Sequence, residues 1–171
     1  MFPTTAITAA AALAAAPLLA GAVATAFTPL LQKRRRVAGL LFHSVADKPG
    51  LNLTGIPKNT FGEVLDCLKN NNIAAITLSQ HAALPSIHRT ATAITFDDGL
   101  CSFYDGAFPM LEECGVKSTV FQVAGFVGKK GDWDVIGKKR HLTAGMLREI
   151  AGHGHEIGSH SLTHANLVWL N

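Results

Sequence analysis

The β-favouring run from Ala91 to Phe96 ends abruptly in Asp97, Asp98 and Gly99, and it constrains what this chain can fold into more than any other segment. Paired carboxylates at the end of a strand are a place for chemistry rather than packing. A second cluster follows later in the chain, Glu156-Ile157-Gly158-Ser159-His160-Ser161-Leu162-Thr163-His164, in which a short apolar segment ends in two imidazoles four residues apart. Together the clusters read as a metal site.

The segments around them alternate. A first strand is expected over 37–42, a polar loop over 47–57, and a helix opened by the capping-box spacing Thr60-Phe61-Gly62-Glu63 and stopped at Asn70-Asn71-Asn72. Strands follow over 73–78, 91–96 and 118–124. A helix over 104–114 separates the last two, and a loop over 125–141 leads to a helix over 143–151. The final strand, 155–159, delivers His160. Strands alternating with helices imply βα units around a parallel sheet, with functional residues gathered at the C-terminal edge of the strands. The expected fold class is therefore α/β.

Composition sets the outer bounds. At 171 residues, 48% hydrophobic and 16% charged, the chain suits one globular domain or part of a larger one. A net charge of +3, with its densest basic run at Lys33 to Arg36 beside an apolar segment, speaks against nucleic-acid binding. Cys67, Cys101 and Cys114 are odd in number and lack Cys-x-x-Cys spacing, so neither a disulfide framework nor a thiolate zinc site is indicated, and core packing is the default. Residues 1–36 read as an apolar leader, signal-like or membrane-spanning, closed by the basic cluster. Association with a membrane through residues 5–31 and a secreted location are both compatible with it.

Two histidines at i and i+4 face the same way on a helical turn and can close on one ion, the third ligand coming from elsewhere. Ser161 and Leu162 occupy the interval where a His-Glu-x-x-His protease carries its base, so here the base comes from outside the histidine pair. Asp97 and Asp98 would point to opposite sides of a regular strand; the turn at Gly99 lets both reach one cavity. One can bind metal while the other handles protons. An alternative is that both aspartates merely cap the following helix.

Thr95-Phe96-Asp97-Asp98-Gly99 and His160-Ser161-Leu162-Thr163-His164 resemble, in this order, the first two motifs of the polysaccharide deacetylases, carbohydrate esterase family 4, whose conserved unit is the NodB homology domain. The resemblance covers residues 37–171. It implies the N-terminal part of a distorted (β/α) barrel, with Asp97 as catalytic base and Asp98, His160 and His164 as ligands of a divalent metal, zinc first. It also implies a hydrolase acting on carbon-nitrogen bonds other than peptide bonds. Asp97 would take a proton from water as it attacks the acetamide carbonyl of an N-acetylglucosamine-containing polysaccharide. Leu40 to Val45 is similar to the opening strand of the subgroup acting on poly-N-acetylglucosamine, with His43 on the substrate side.

The family's later motifs, an arginine and proline motif that orients the base and a Leu-x-His whose histidine protonates the leaving amine, are not in this sequence. The expectation is a shortened domain. Its rival reading is an inactive or carbohydrate-binding remnant of the same fold. A non-haem iron centre built on the same two histidines and one carboxylate is disfavoured, because the fold pattern is βα instead of a jelly roll.

Overall fold

The computed structural model describes residues 39–47, 54–84, 91–131, 138–166 and 168. The apolar leader, the basic cluster, His88, Trp133 and Trp169 lie outside the described residues, and no described helix is long and apolar enough to cross a membrane.

Seven strands are described: β1 (Gly39–Phe42), β2 (Ser44–Ala46), β3 (Gly55–Pro57), β4 (Ala74–Ile76), β5 (Ala91–Phe96), β6 (Thr119–Gln122) and β7 (Glu156–Ser159). The helices are α1 (Lys58–Asn70), α2 (Leu78–Ala82), α3 (Phe108–Glu113) and α4 (Ala144–Gly152). The main sheet runs β1-β5-β6-β7, with β4 also paired to β5, and every pair is parallel. The α/β reading from sequence holds.

β5 explains the sheet. All six of its residues are buried, and it pairs with β1 on one edge and with β4 and then β6 on the other. A strand covered on both faces has no solvent side to fill with polar residues, hence its continuous apolar and threonine sequence. At its C-terminal end Phe96 is locked into an aromatic cluster. Its ring lies 5.4 Å from Phe42, 5.8 Å from Phe61 and 4.7 Å from Phe103, centroid to centroid. Three elements thus hold the residue that precedes Asp97.

Helix α1 buries Phe61, Leu65 and Leu68 against this cluster, the i, i+4, i+7 stripe of an amphipathic helix. It begins at Lys58, so Thr60 lies within the first turn and the expected capping box does not form. Pro57 occupies the N-cap, extended at φ −64° and ψ 150°. The expected polar loop over 47–57 is also corrected, since Gly55–Pro57 pairs in parallel with Ser44–Ala46 as a second, two-stranded sheet. The strand expected over 73–78 stops at Ile76, because Thr77 caps α2. The Thr77 hydroxyl accepts from the Gln80 N–H, and the Gln80 side chain accepts from the Thr77 N–H at 3.1 Å.

The helix expected over 104–114 divides into a π-helical turn, Phe103–Ala107, and α3. Pro109 has no N–H to donate back to Asp105, which removes one bond of a regular α ladder there. Helix α4 follows its expected stripe. Thr143 caps it by accepting from the Met146 N–H at 3.2 Å, and Leu142 and Ile150 are fully buried. Of the cysteines expected in the core, Cys101 is buried, Cys67 is half-buried and Cys114 is exposed.

Candidate active site

The register of the sheet brings the two sequence clusters level. Phe96 pairs with Val120 and Gln122 pairs with Ser159, so Asp98, two residues beyond Phe96, stands beside the end of β6, and His160 stands on its other side. Parallel strands end on the same edge, so residues distant in sequence meet where three adjacent strands stop.

The structure brings Asp98, His160 and His164 together. Asp98 is 7% exposed, and its Oδ1 lies 3.5 Å from His160 Nε2 and 3.2 Å from His164 Nε2. The imidazole rings are 5.2 Å apart. One ligand atom from each residue lies within 4.8 Å of the other two, which occurs for no other group of such residues among those described. Asp98 Oδ1 has no hydrogen-bond partner although it is buried, a costly state for a carboxylate oxygen unless a cation claims it. Ligands on a tetrahedral zinc at about 2.0–2.1 Å stand about 3.4 Å apart. The two nitrogen-to-oxygen separations match that spacing, so the donor set fits a divalent cation.

The backbone does unusual work to achieve this. Asp98 (φ 69°), Gly99 (φ 62°), Ser161 (φ 65°) and His164 (φ 56°) all lie in the left-handed region. Each such non-glycine residue costs on the order of 1 kcal/mol or more, and strain of this kind concentrates at functional sites. The turn expected at Gly99 therefore begins one residue earlier, at Asp98. His160 and His164 do not share a helical turn. They sit on an irregular loop, in which the His164 N–H donates to Ser161 Oγ at 3.0 Å.

Asp97 is half-buried beside the three-residue group, and its N–H donates to the Phe42 carbonyl at 2.9 Å, tying it to the end of β1. Burial lifts its carboxyl above the ordinary value. The imidazoles of His160 and His43 oppose that rise, Asp98 adds to it and His164 opposes it. His43, in the bend between β1 and β2, is thus close enough to Asp97 to act on its charge. The helical segment that follows has Ser102 at its N-cap and no side-chain cap bond, so neither aspartate caps it.

Two further residues of this site carry no motif. His141 is 2% exposed, with its ring 5.5 Å from Phe126. Burial holds its pKa low, while the charge of Asp98 pulls it upward. Gln122 is buried at the end of β6 between the two clusters. No spacing in the sequence marks either of them.

A sequence model described as polysaccharide deacetylase matches residues 87–171, which include all the aspartates and histidines above except His43. YxkH of Bacillus subtilis (strain 168), assigned by name to the polysaccharide deacetylases, is 30% identical over 140 residues; the match covers 80% of this chain and 46% of that protein. The chain thus spans about half the length of the curated relative it matches. Among solved structures, the Streptococcus pyogenes deacetylase PplD, in complex with acetate, superposes with a TM-score of 0.61 at 18% identity, covering 79% of this chain and 60% of that one. A de-N-acetylase from Aggregatibacter actinomycetemcomitans gives a TM-score of 0.61 at 22% identity, covering 77% of this chain and 58% of that one. The motif-bearing residues 87–171 thus match the polysaccharide deacetylase family, and the described fold is the one seen in solved deacetylases.

Proposed function

We propose that the protein removes N-acetyl groups from an N-acetylglucosamine-containing polysaccharide in a reaction that depends on a divalent metal, zinc first. The observation that carries this reading is the buried Oδ1 of Asp98, which accepts no hydrogen bond and faces two imidazole nitrogens, with the second carboxylate, Asp97, adjacent but outside that set. The name of the Aggregatibacter structure supports the same reaction class.

Asp98, His160 and His164 would hold the cation, which supplies Lewis acidity and lowers the pKa of water. Asp97 is the base. Its half-buried carboxylate, close to two imidazoles and a second carboxylate, takes the proton from water attacking the acetamide carbonyl. The bond between Phe42 and the Asp97 N–H keeps that carboxylate at the strand edge. His43 flanks Asp97 on the side of β1 and is assigned to the sugar. The similarity of Leu40 to Val45 to the opening strand of the poly-N-acetylglucosamine subgroup makes that polymer the first substrate to try.

The test is acetate release from N-acetylglucosamine oligomers by the full-length protein. Release should stop on chelation, return with zinc, and be lost in Asp97→Asn. Release that survives both chelation and Asp97→Asn would overturn the mechanism.

A further inference from the structure

Outside the aspartates and histidines, one segment touches both halves of the site. The corner that follows β6 comprises Gln122, Val123 and the short 3-10 turn Ala124–Phe126. On one side the Gln122 side chain lies against Gly99: a Cβ built there would stand 2.1 Å from Gln122 Oε1 and 3.0 Å from Gln122 Cα. A side chain at Gly99 would have to displace the Gln122 side chain and bear a strained positive φ. On the other side the corner grips the histidine loop by its backbone. The His160 N–H donates to the Gln122 carbonyl at 2.9 Å, the Ala124 N–H to the Ser161 carbonyl at 3.0 Å, and the Gly125 N–H to the Leu162 carbonyl at 2.8 Å.

Gly125 has no positive φ to explain its identity, but a Cβ on it would lie 2.5 Å from the Leu162 carbonyl oxygen. Backbone cannot yield as a flexible side chain can, so any larger residue must push the histidine loop away. Ser161 is held left-handed while its carbonyl is caught by Ala124. The strained conformation that turns His160 and His164 toward Asp98 is thus over-determined from outside the loop.

We infer that the Gln122–Gly125 corner is the positioning element of this site, setting the distance between the carboxylate turn and the histidine loop, with Gly125 as its limiting residue. This rests on the reading of Asp98, His160 and His164 as cation ligands. Groups that orient ligands without touching the ion typically change metal affinity or activity by about 10- to 100-fold when altered.

Two variants test it in the full chain. Gly125→Ala adds the obstructing methyl. Ala124→Pro removes one donor and sets its ring Cδ against the Ser161 carbonyl, so it presses on the histidine loop from a second point, while exposed Ala124 and extended Val123 (φ −71°, ψ 108°) suit a proline at this corner. Gly152→Ala, where nothing lies within 4 Å of the new Cβ, is the control. Titration with zinc ions alone should show affinity about 10- to 100-fold weaker in both corner variants and unchanged in the control. In the metal-free wild-type chain, the amide protons of Ala124, Gly125 and His160 should exchange slowly, and Gly125→Ala should release them.

Wild-type zinc affinity in folded Gly125→Ala and Ala124→Pro overturns the positioning role. Solvent-rate exchange at Ala124 and Gly125 in the wild-type chain overturns it too, whatever the metal does. A wild-type chain that binds no zinc yet protects these amides sinks the cation reading instead, and leaves the corner supported by the exchange alone.

Discussion

Asp98 is the residue on which the two clusters meet, and its neighbours separate the roles proposed here. Asp97→Asn should keep zinc binding while turnover of N-acetylglucosamine oligomers falls by about 10²- to 10⁴-fold, the span of a general base. Asp98→Ala should abolish zinc binding itself, read by titration. If the two variants behave alike in both assays, the division of labour between base and ligand fails. Gly99→Ala combines a strained φ with an approach of 2.1 Å to Gln122, and denaturant unfolding should show a loss of about 1–3 kcal/mol or more. These residue types were legible in the sequence, since carboxylates at a strand end and paired imidazoles are rare and chemically pointed. Their conformation was not. A His-x-x-x-His spacing reads equally as one helical turn, whereas here left-handed Ser161 and His164 join the two imidazoles.

At the scale of elements, the far end of β7 carries a polar cluster that ties α3, β6 and α4 together. Glu112 accepts from Lys117 and contacts His153 Nδ1 at 2.6 Å and His155 Nε2 at 3.0 Å, while His155 Nδ1 accepts from the Ser118 N–H at 3.1 Å. Hydrogen bonds from Lys117 and His153, chiefly, pull the Glu112 carboxyl from its ordinary 4.5 down to about 2. Its folded pKa is depressed, so its contribution is fully present above about 4.5 and is lost as pH falls toward 2. Burial likewise lowers the His155 pKa, so the unfolded chain takes up a proton first and stability begins to fall as pH drops below 6.5. Urea midpoints measured from pH 7 to pH 3 should decline throughout, and Glu112→Gln should flatten the lower part of that decline. An unchanged slope in Glu112→Gln would show that the cluster does not govern acid stability. Thr143→Ala removes the cap of α4 and should cost about 1 kcal/mol by the same measurement. Element identities were largely legible because buried strands and amphipathic helices carry different periods. Boundaries were not: Thr60 and Thr77 both precede a Glu or Gln by three residues, and only packing selects Thr77 as a cap.

For the whole molecule, cation binding and folding should be linked. A ligand set drawn from the ends of β5 and β7 exists only when both strands are in the sheet. Excess zinc should therefore stabilise the fold by mass action, about 2.7 kcal/mol at a hundredfold excess over Kd, and so raise Tm, and chelator should reverse it. A Tm indifferent to zinc in the wild-type chain, matched by Asp98→Ala, would remove that linkage. Local sequence was enough for the α/β class and for the strand that carries the carboxylates, and it supplied the residues proposed as base and ligands, because these depend on local period and side-chain chemistry. The tertiary structure decided the rest: that β6 lies between the two clusters, that its register levels Asp98 with His160, and that the Gln122–Gly125 corner holds the histidine loop. Those outcomes depend on hydrogen bonds and close contacts between residues far apart in the chain, for which local sequence carries no signal.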